Sequence, residues 1–313
     1  MLSFLLRRLV AGLLTVVTIC VVGFFLLYAN SSDVARRIVG DLASPEIVAR
    51  KAEELGLDRP VVTQFADWVG GVFTGDLGRS WFSGQPVVAA ISGRLPVTLS
   101  LTIGAVLLTA IVGVLLGVAA ASRRGAVDRA VQTSSIVAAA IPGFLVALIL
   151  ALIFGIWLRW LPATGYVRPE DSLTGWLSTI TLPVIALSIG AIASIAQQVR
   201  GSMVDALRLD YVRTLRAHGL PRHRVLYRHV LRNAAGPALS VLGLQFVVLF
   251  GGAVVVEQVF SLPGVGQTAV SATVGGDIPL VMGILVATAI LVLVVNLVVD
   301  LLQAWLNPRM RMS

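Results

Sequence analysis

Six apolar runs, each of about 20 residues and so long enough to cross a bilayer as a helix, most narrowly limit what this chain can fold into. They lie at roughly 9–30, 97–121, 132–158, 177–199, 236–257 and 279–305. Hydrocarbon offers no partner to an open backbone N–H or C=O, so such runs cross as helices that satisfy their own hydrogen bonds. Pro183 interrupts the fourth run, which leaves a range of five or six spans, with six expected. Only 13% of the 313 residues are charged and 57% are hydrophobic, whereas a soluble domain carries about twice that charged share. Mean hydropathy is +0.91. The chain reads as an all-α integral membrane protein.

The formal net charge of +8 does not point to nucleic acid, because no basic domain with interleaved aromatics is present. Membrane proteins gather arginine on their cytoplasmic side for topological reasons. Cys20 is the only cysteine, so no internal disulfide forms. Arg7 and Arg8 before an apolar run resemble a signal peptide, but the run from Leu9 to Ala29 exceeds the 7–15 residues typical of such a segment. An uncleaved membrane helix is expected.

Placing the N-terminus inside puts 15 of the 24 basic residues in inner segments. These are Arg7 and Arg8; Arg123, Arg124 and Arg129; eight arginines from Arg200 to Arg232; and Arg309 and Arg311. Only Asp128, Asp205 and Asp210 oppose them there. Seven of the nine outer basic residues sit in one long loop, and long loops count little in this rule. Both termini are therefore expected in the cytoplasm. The chain divides into a first span (1–30), an extracytoplasmic loop (31–96), a membrane core (97–305) with an inner loop at 200–235, and a cytoplasmic tail (306–313).

The outer loop carries helix signals. "ASPEIVARKAEELG" offers Ser44 as a cap, Pro45 and Glu46 in the first turn, and Gly56 as the stop. "RPVVTQFADWVGGVF" places Val62, Phe65, Val69 and Val72 on one helical face. A small helical cap follows, either a tethered loop or a docking surface. Shorter outer loops are expected at 159–176 and 258–278.

The stretch "DYVRTLRAHGLPRHRVLYRHVLRN", Asp210 to Asn233, holds six arginines and all three histidines. Asp210 to His218 forms a short helix that Gly219 and Pro221 stop, and a second helix spans Arg222 to Asn233 before Gly236-Pro237. Tyr211, Leu215 and His218, at i, i+4 and i+7, make a partly apolar face for a partner, with Val212, Arg213 and Arg216 on other faces. Topogenic charge, a lipid-binding helix and protein docking all remain open on these grounds. Histidine spacings of five and six residues suit no zinc pattern.

This segment resembles the cytoplasmic EAA loop of ABC importer permeases, and "DYVRTLRAHGL…LRNAAGP" is similar to the dipeptide/oligopeptide branch of that family. Tyr211, Val212, Arg213, Thr214, Arg216, Ala217 and Gly219 match the branch pattern. Leu215, His218 and Gly236 stand where it has Ala, Lys and Leu. "LGLDRPVVTQFADWV", "GDLGRSWFSGQPV", "RLPVTLSL", "LPATGY", "VVVEQVFSLPGVG" and "NLVVDLLQAWLNPR" resemble, in order, the B-type subunit along nearly the whole chain. Gln197 and Asn307 depart from its usual Arg and Asp.

The resemblance implies a type I ABC importer permease in the inner or plasma membrane. A C-type permease would form the other half of the pathway, two ABC ATPases would bind ATP and Mg below, and an extracytoplasmic substrate-binding protein would deliver solute. Asp210 to Leu220, with Tyr211, Val212, Arg213, Thr214, Arg216, Ala217, His218 and Gly219, would couple to the ATPases. Phe260, Pro263, Gly264 and Gly266, which match the family string, would face the binding protein or gate, although packing explains them equally well. No G-x-x-x-x-G-K-[ST] string is present, so no cofactor is expected in this chain itself, which is not an enzyme alone. Dipeptides or longer peptides are the leading substrates, with nickel, glutathione and other solutes as alternatives. A gradient-driven secondary transporter, with Glu257 and Asp300 as its ionisable groups, is the second reading.

Overall fold

A computed structural model describes residues 2–28, 34–123 and 125–306. Arg124, Asn307, Arg309, Arg311 and the rest of the tail lie outside them. In chain order the helices are α1 (Leu2–Tyr28), α2 (Val34–Val39), α3 (Pro45–Glu54), α4 (Val61–Thr74), α5 (Val87–Ser122), α6 (Ala126–Ala140), α7 (Gly143–Leu150), α8 (Leu173–Arg208), α9 (Asp210–Ala217), α10 (Arg222–Arg224), α11 (Leu231–Val259), α12 (Val265–Gly275) and α13 (Ile278–Leu306). Wider π-type turns continue α7 over Ala151–Trp157 and join α10 to α11 over Val225–Val230. Among the described residues five helices are long and apolar enough to cross a bilayer, and six if α6 and α7 form one bent span.

The chain divides into two compact units. One comprises, of the described residues, 97–123, 125–263 and 295–306. At its centre α8 packs against α11, α6 and α7. Between α5 and α8 the backbones approach closely because α5 presents glycine. A Cβ on Gly113 would lie 2.8 Å from Ile195 Cγ2, and one on Gly117 would lie 2.7 Å from both the Ala196 carbonyl oxygen and Val199 Cβ. Small residues at i and i+4 let membrane helices gain dispersion contacts where hydrophobic exclusion drives nothing. Ile195, Val199 and Met203 close the core beside this seam.

Prolines act differently by context. Pro183 lies buried inside a continuous α8, so the fourth expected run is one helix and begins earlier than expected. The third run is instead the broken one. α6 stops before extended Ile141 (φ −87°, ψ 121°), and the two halves, Ala126–Ala140 and Gly143–Trp157, meet at 93°. The residue preceding proline is pushed out of the helical region, and here β-branched Ile141 and Gly143 flank Pro142 with weak helix formers. Pro237, by contrast, lies inside α11. The expected short helix at Arg222–Asn233 therefore does not end before Gly236-Pro237; one helical rod runs over Arg222–Val259.

The other unit comprises, of the described residues, 2–28, 34–96 and 264–294. Phe24 and Tyr28 of α1 stack at 4.0 Å, and Phe65 and Trp68 of α4 close on Phe24 at 5.1 and 5.6 Å. The inward face of α4 is Val61, Phe65 and Trp68, whereas Val62 is exposed; the expected stripe is thus rotated toward the aromatics. Ser44 precedes α3 but makes no backbone cap bond. It instead hydrogen-bonds Glu46, and that bond, with the Glu46 backbone, holds the Glu46 carboxyl below its ordinary range. The loop after α4 is pinned by Asp277, which is buried and accepts from the Ser80 hydroxyl and, at 3.1 Å, from the Trp81 N–H. The expected loop at 258–278 contains α12.

Gly117→Leu is expected to lower stability by about 1–3 kcal/mol, the usual cost of overpacking, read as the melting temperature of detergent-purified protein. Gly190→Ala, whose Cβ would meet nothing within 4 Å, should leave the melting temperature unchanged or raised.

Candidate functional site

Leu209, extended at φ −70° and ψ 146°, ends α8 and turns the chain into α9. Asp210 in its first turn and Arg216 in its last both complement the helix dipole. Gly219 takes φ +76°, a left-handed conformation that costs a side-chain-bearing residue about 1–2 kcal/mol. The Gly219 N–H donates to the Arg216 carbonyl at 2.9 Å and the Leu220 N–H to the Leu215 carbonyl at 3.2 Å. This pair of bonds is a Schellman stop, and the apolar contact that accompanies one comes from Leu215 and Leu220, which share a core cluster. The glycine stop expected from the sequence is thus present.

The apolar face of α9 is not free, contrary to the expectation from spacing. Val212 is fully buried, Tyr211 and Leu215 pack on the same cluster, and Met203, Val225, Leu226 and Val230 complete it. Asn233 donates to the Tyr211 hydroxyl at 2.9 Å, joining the two ends of the sequence motif. What faces outward is Arg213, Thr214, Arg216, Ala217 and His218. The loop is therefore a knob whose greasy side anchors it to its own bundle and whose basic side is exposed. Arg222 is tied back as well, donating to the Ser122 carbonyl at 2.7 Å.

A second polar contact was not singled out from the sequence. Arg200, near the end of α8, grips Asp128 at the start of α6 through two nitrogens, with Nη2 to Oδ2 at 2.7 Å. The two side chains are 28% and 18% exposed. Its signal was an acid standing almost alone among inner arginines.

Of the four outer candidates, only Pro263 is exposed; Phe260, Gly264 and Gly266 are buried. Phe260 is a core residue whose carbonyl accepts from the Gly165 N–H at 3.1 Å. Burial of Phe260, Gly264 and Gly266 is what packing, the other reading of this string, requires. Glu257, also fully buried, accepts from Thr98 at 2.5 Å, which ties α11 to α5 within apolar packing. No group of three or more metal-ligating side chains occurs among the described residues.

A bundle of apolar spans with a built basic knob between two of them defines an integral membrane permease. Residues 113–312 match the family of the binding-protein-dependent transport system inner membrane component, and residues 1–102 match the N-terminal region of such membrane components. The chain belongs to this family: it is a multi-pass inner-membrane permease of an ABC importer. It is 38% identical over 312 residues to a peptide transport system permease protein of Brucella abortus (strain 2308), covering 99% of each chain. It is 36% identical over 312 residues, again 99% of each, to a glutathione transport system permease protein of Salmonella choleraesuis (strain SC-B67). A peptide ABC transporter permease of Sinorhizobium fredii (strain NBRC 101917 / NGR234) is 39% identical, with 98% of this chain and 99% of that one covered. These relatives lend no support to the gradient-driven alternative.

Asp128→Asn should destabilise the protein by about 1–2 kcal/mol, less than the ~3–5 kcal/mol of a fully buried pair because water screens this one. Thermal unfolding at low and high salt checks this, with a smaller difference from wild type expected at high salt.

Proposed function

We propose that this permease carries peptide-class solutes inward, and that the knob from Asp210 to Leu220 couples it to ATPase subunits. The observation that carries the coupling reading is the Schellman-stopped helix of the knob, held by Val212 and presenting Arg213 and Arg216. A rigid convex element with guanidinium forks suits an acidic protein groove better than it suits insertion among lipid tails, since its apolar face is already occupied. ATP and Mg would bind in those partner subunits and not here. A second permease would complete the pathway, and a binding protein would deliver solute on the opposite side. Both termini would be cytoplasmic, as the arginine bias suggests.

The substrate class follows the relatives, whose names specify peptides and glutathione. Both are amide-linked small solutes.

Gly219→Val tests the coupling. A β-branched residue is strained at φ +76°, and open space around the position means the effect is conformational rather than steric. Uptake of a labelled dipeptide should fall about tenfold, the rate equivalent of about 1.4 kcal/mol, while membrane insertion persists. Gly219→Asn, which tolerates left-handed geometry, should retain most transport. Full uptake by the valine variant at normal expression would refute the assignment.

A further inference from the structure

We propose that a cavity beside the knob binds the phosphate headgroup of an anionic phospholipid. The cavity, of about 510 Å³, lies among the ends of α5 and α8, the last turn of α9 and the start of the α10–α11 rod. Two arginines line it, Arg216 and Arg222, together with Ala121, Ser122, Leu207, Leu220 and Leu226. None of its described lining residues is acidic. Of the carboxylates nearest in sequence, Asp205 is exposed and outside the lining, Asp210, whose side chain is 94% exposed, lies beside Arg213, and Asp128 is gripped by Arg200.

The chemistry of the cavity is that of a phosphate with a hydrocarbon root. Arg222 is oriented by its bond to the Ser122 carbonyl at 2.7 Å, and a guanidinium has five donors, so most of them remain for a ligand. Guanidinium forks match phosphate oxygens in bidentate fashion, and two arginines line this one cavity. A partner's carboxylate would satisfy one fork and leave most of the volume and the leucine walls empty. A headgroup with its glycerol fills both, and the volume falls in the range of small-ligand sites.

The level in the membrane agrees. α5 and α8 are each 36 residues long, about 54 Å at 1.5 Å per residue, against a hydrocarbon core of about 30 Å. Their ends therefore reach the headgroup layer, where basic pockets between spans capture anionic lipid. Assignment to the inner leaflet rests on the proposed orientation; the site itself does not.

The test uses the full-length chain with whatever subunits co-purify, reconstituted in phosphatidylcholine nanodiscs containing a minor share of phosphatidylglycerol. Native mass spectrometry reads the retained lipid. Arg216→Gln with Arg222→Gln should weaken phosphatidylglycerol retention on the order of 30-fold, from two basic contacts. Arg224→Gln with Arg228→Gln removes the same charge from exposed positions outside the cavity and should change retention little. Leu220→Trp, which keeps both arginines and fills the cavity, should also lose lipid, and covers the case in which the double variant misfolds. Equal losses from both arginine pairs would reduce the effect to diffuse surface charge and overturn the site. Unchanged retention in the Leu220→Trp protein would overturn it as well. Displacement of the lipid by millimolar inorganic phosphate would reassign the cavity to a soluble anion, and protection of Arg222 by a co-purified subunit in lipid-free protein would reassign it to a protein contact. Because the readout is lipid retention and not uptake, failure here leaves the coupling reading standing, and the reverse holds.

Discussion

The close approach of α5 to α8 at Gly113 and Gly117 sets the geometry on which the functional end of the bundle depends. α8 is gripped there by backbone-level contact, with Ile195 and Val199 filling the space that the glycines leave. The same helix is tied to α6 by the Arg200–Asp128 pair and runs on to Arg208. α9 begins two residues later, so the position and tilt of α8 dictate where the knob stands. In a membrane such a seam rests on packing rather than on exclusion of water, which makes it sensitive to a single added side chain.

The knob itself depends on an arrangement that distinguishes it from a merely charged loop. Val212, Tyr211 and Leu215 consume its apolar face internally, the Schellman bonds stop it, and Asn233 and Arg222 tie the helix that follows it to Tyr211 and to the end of α5. Motion of the knob is therefore motion of the helices beneath it. Type I permeases need such a connection if a nucleotide-driven change in a partner is to reach the spans. If the proposed coupling holds, the unit of α8, α9 and the Arg222–Val259 rod would provide one without a long stretch of loose chain.

Much of this was legible in the sequence. Span number, the α9 helix and the Gly219 stop follow from hydropathy, composition and turn chemistry, and the family follows from ordered motifs. What escaped had local causes. Spacing sets Val212 with Arg213 and Arg216 off the Tyr211–Leu215 face, because an eight-residue helix gives too few turns to fix which side is buried; the long-range partners Met203 and Val230 decide it. Pro142 and Pro183 look alike in an apolar run, yet only the first breaks its helix, since flanking Ile141 and Gly143 lower helical persistence. Resemblance alone assigns Phe260, Gly264 and Gly266, and it does not tell docking from packing; the chain folds them inward. The Arg200–Asp128 pair joins positions 72 residues apart, beyond any local pattern.

The most direct measurement of the central claim is photo-crosslinking from a benzoylphenylalanine placed at exposed Ala217, in membranes that actively take up peptide, with the adduct identified by mass spectrometry. The account predicts an adduct with a P-loop ATPase whose yield changes when nucleotide is added. Adducts with lipid alone, in membranes whose uptake through this permease is intact, would contradict it.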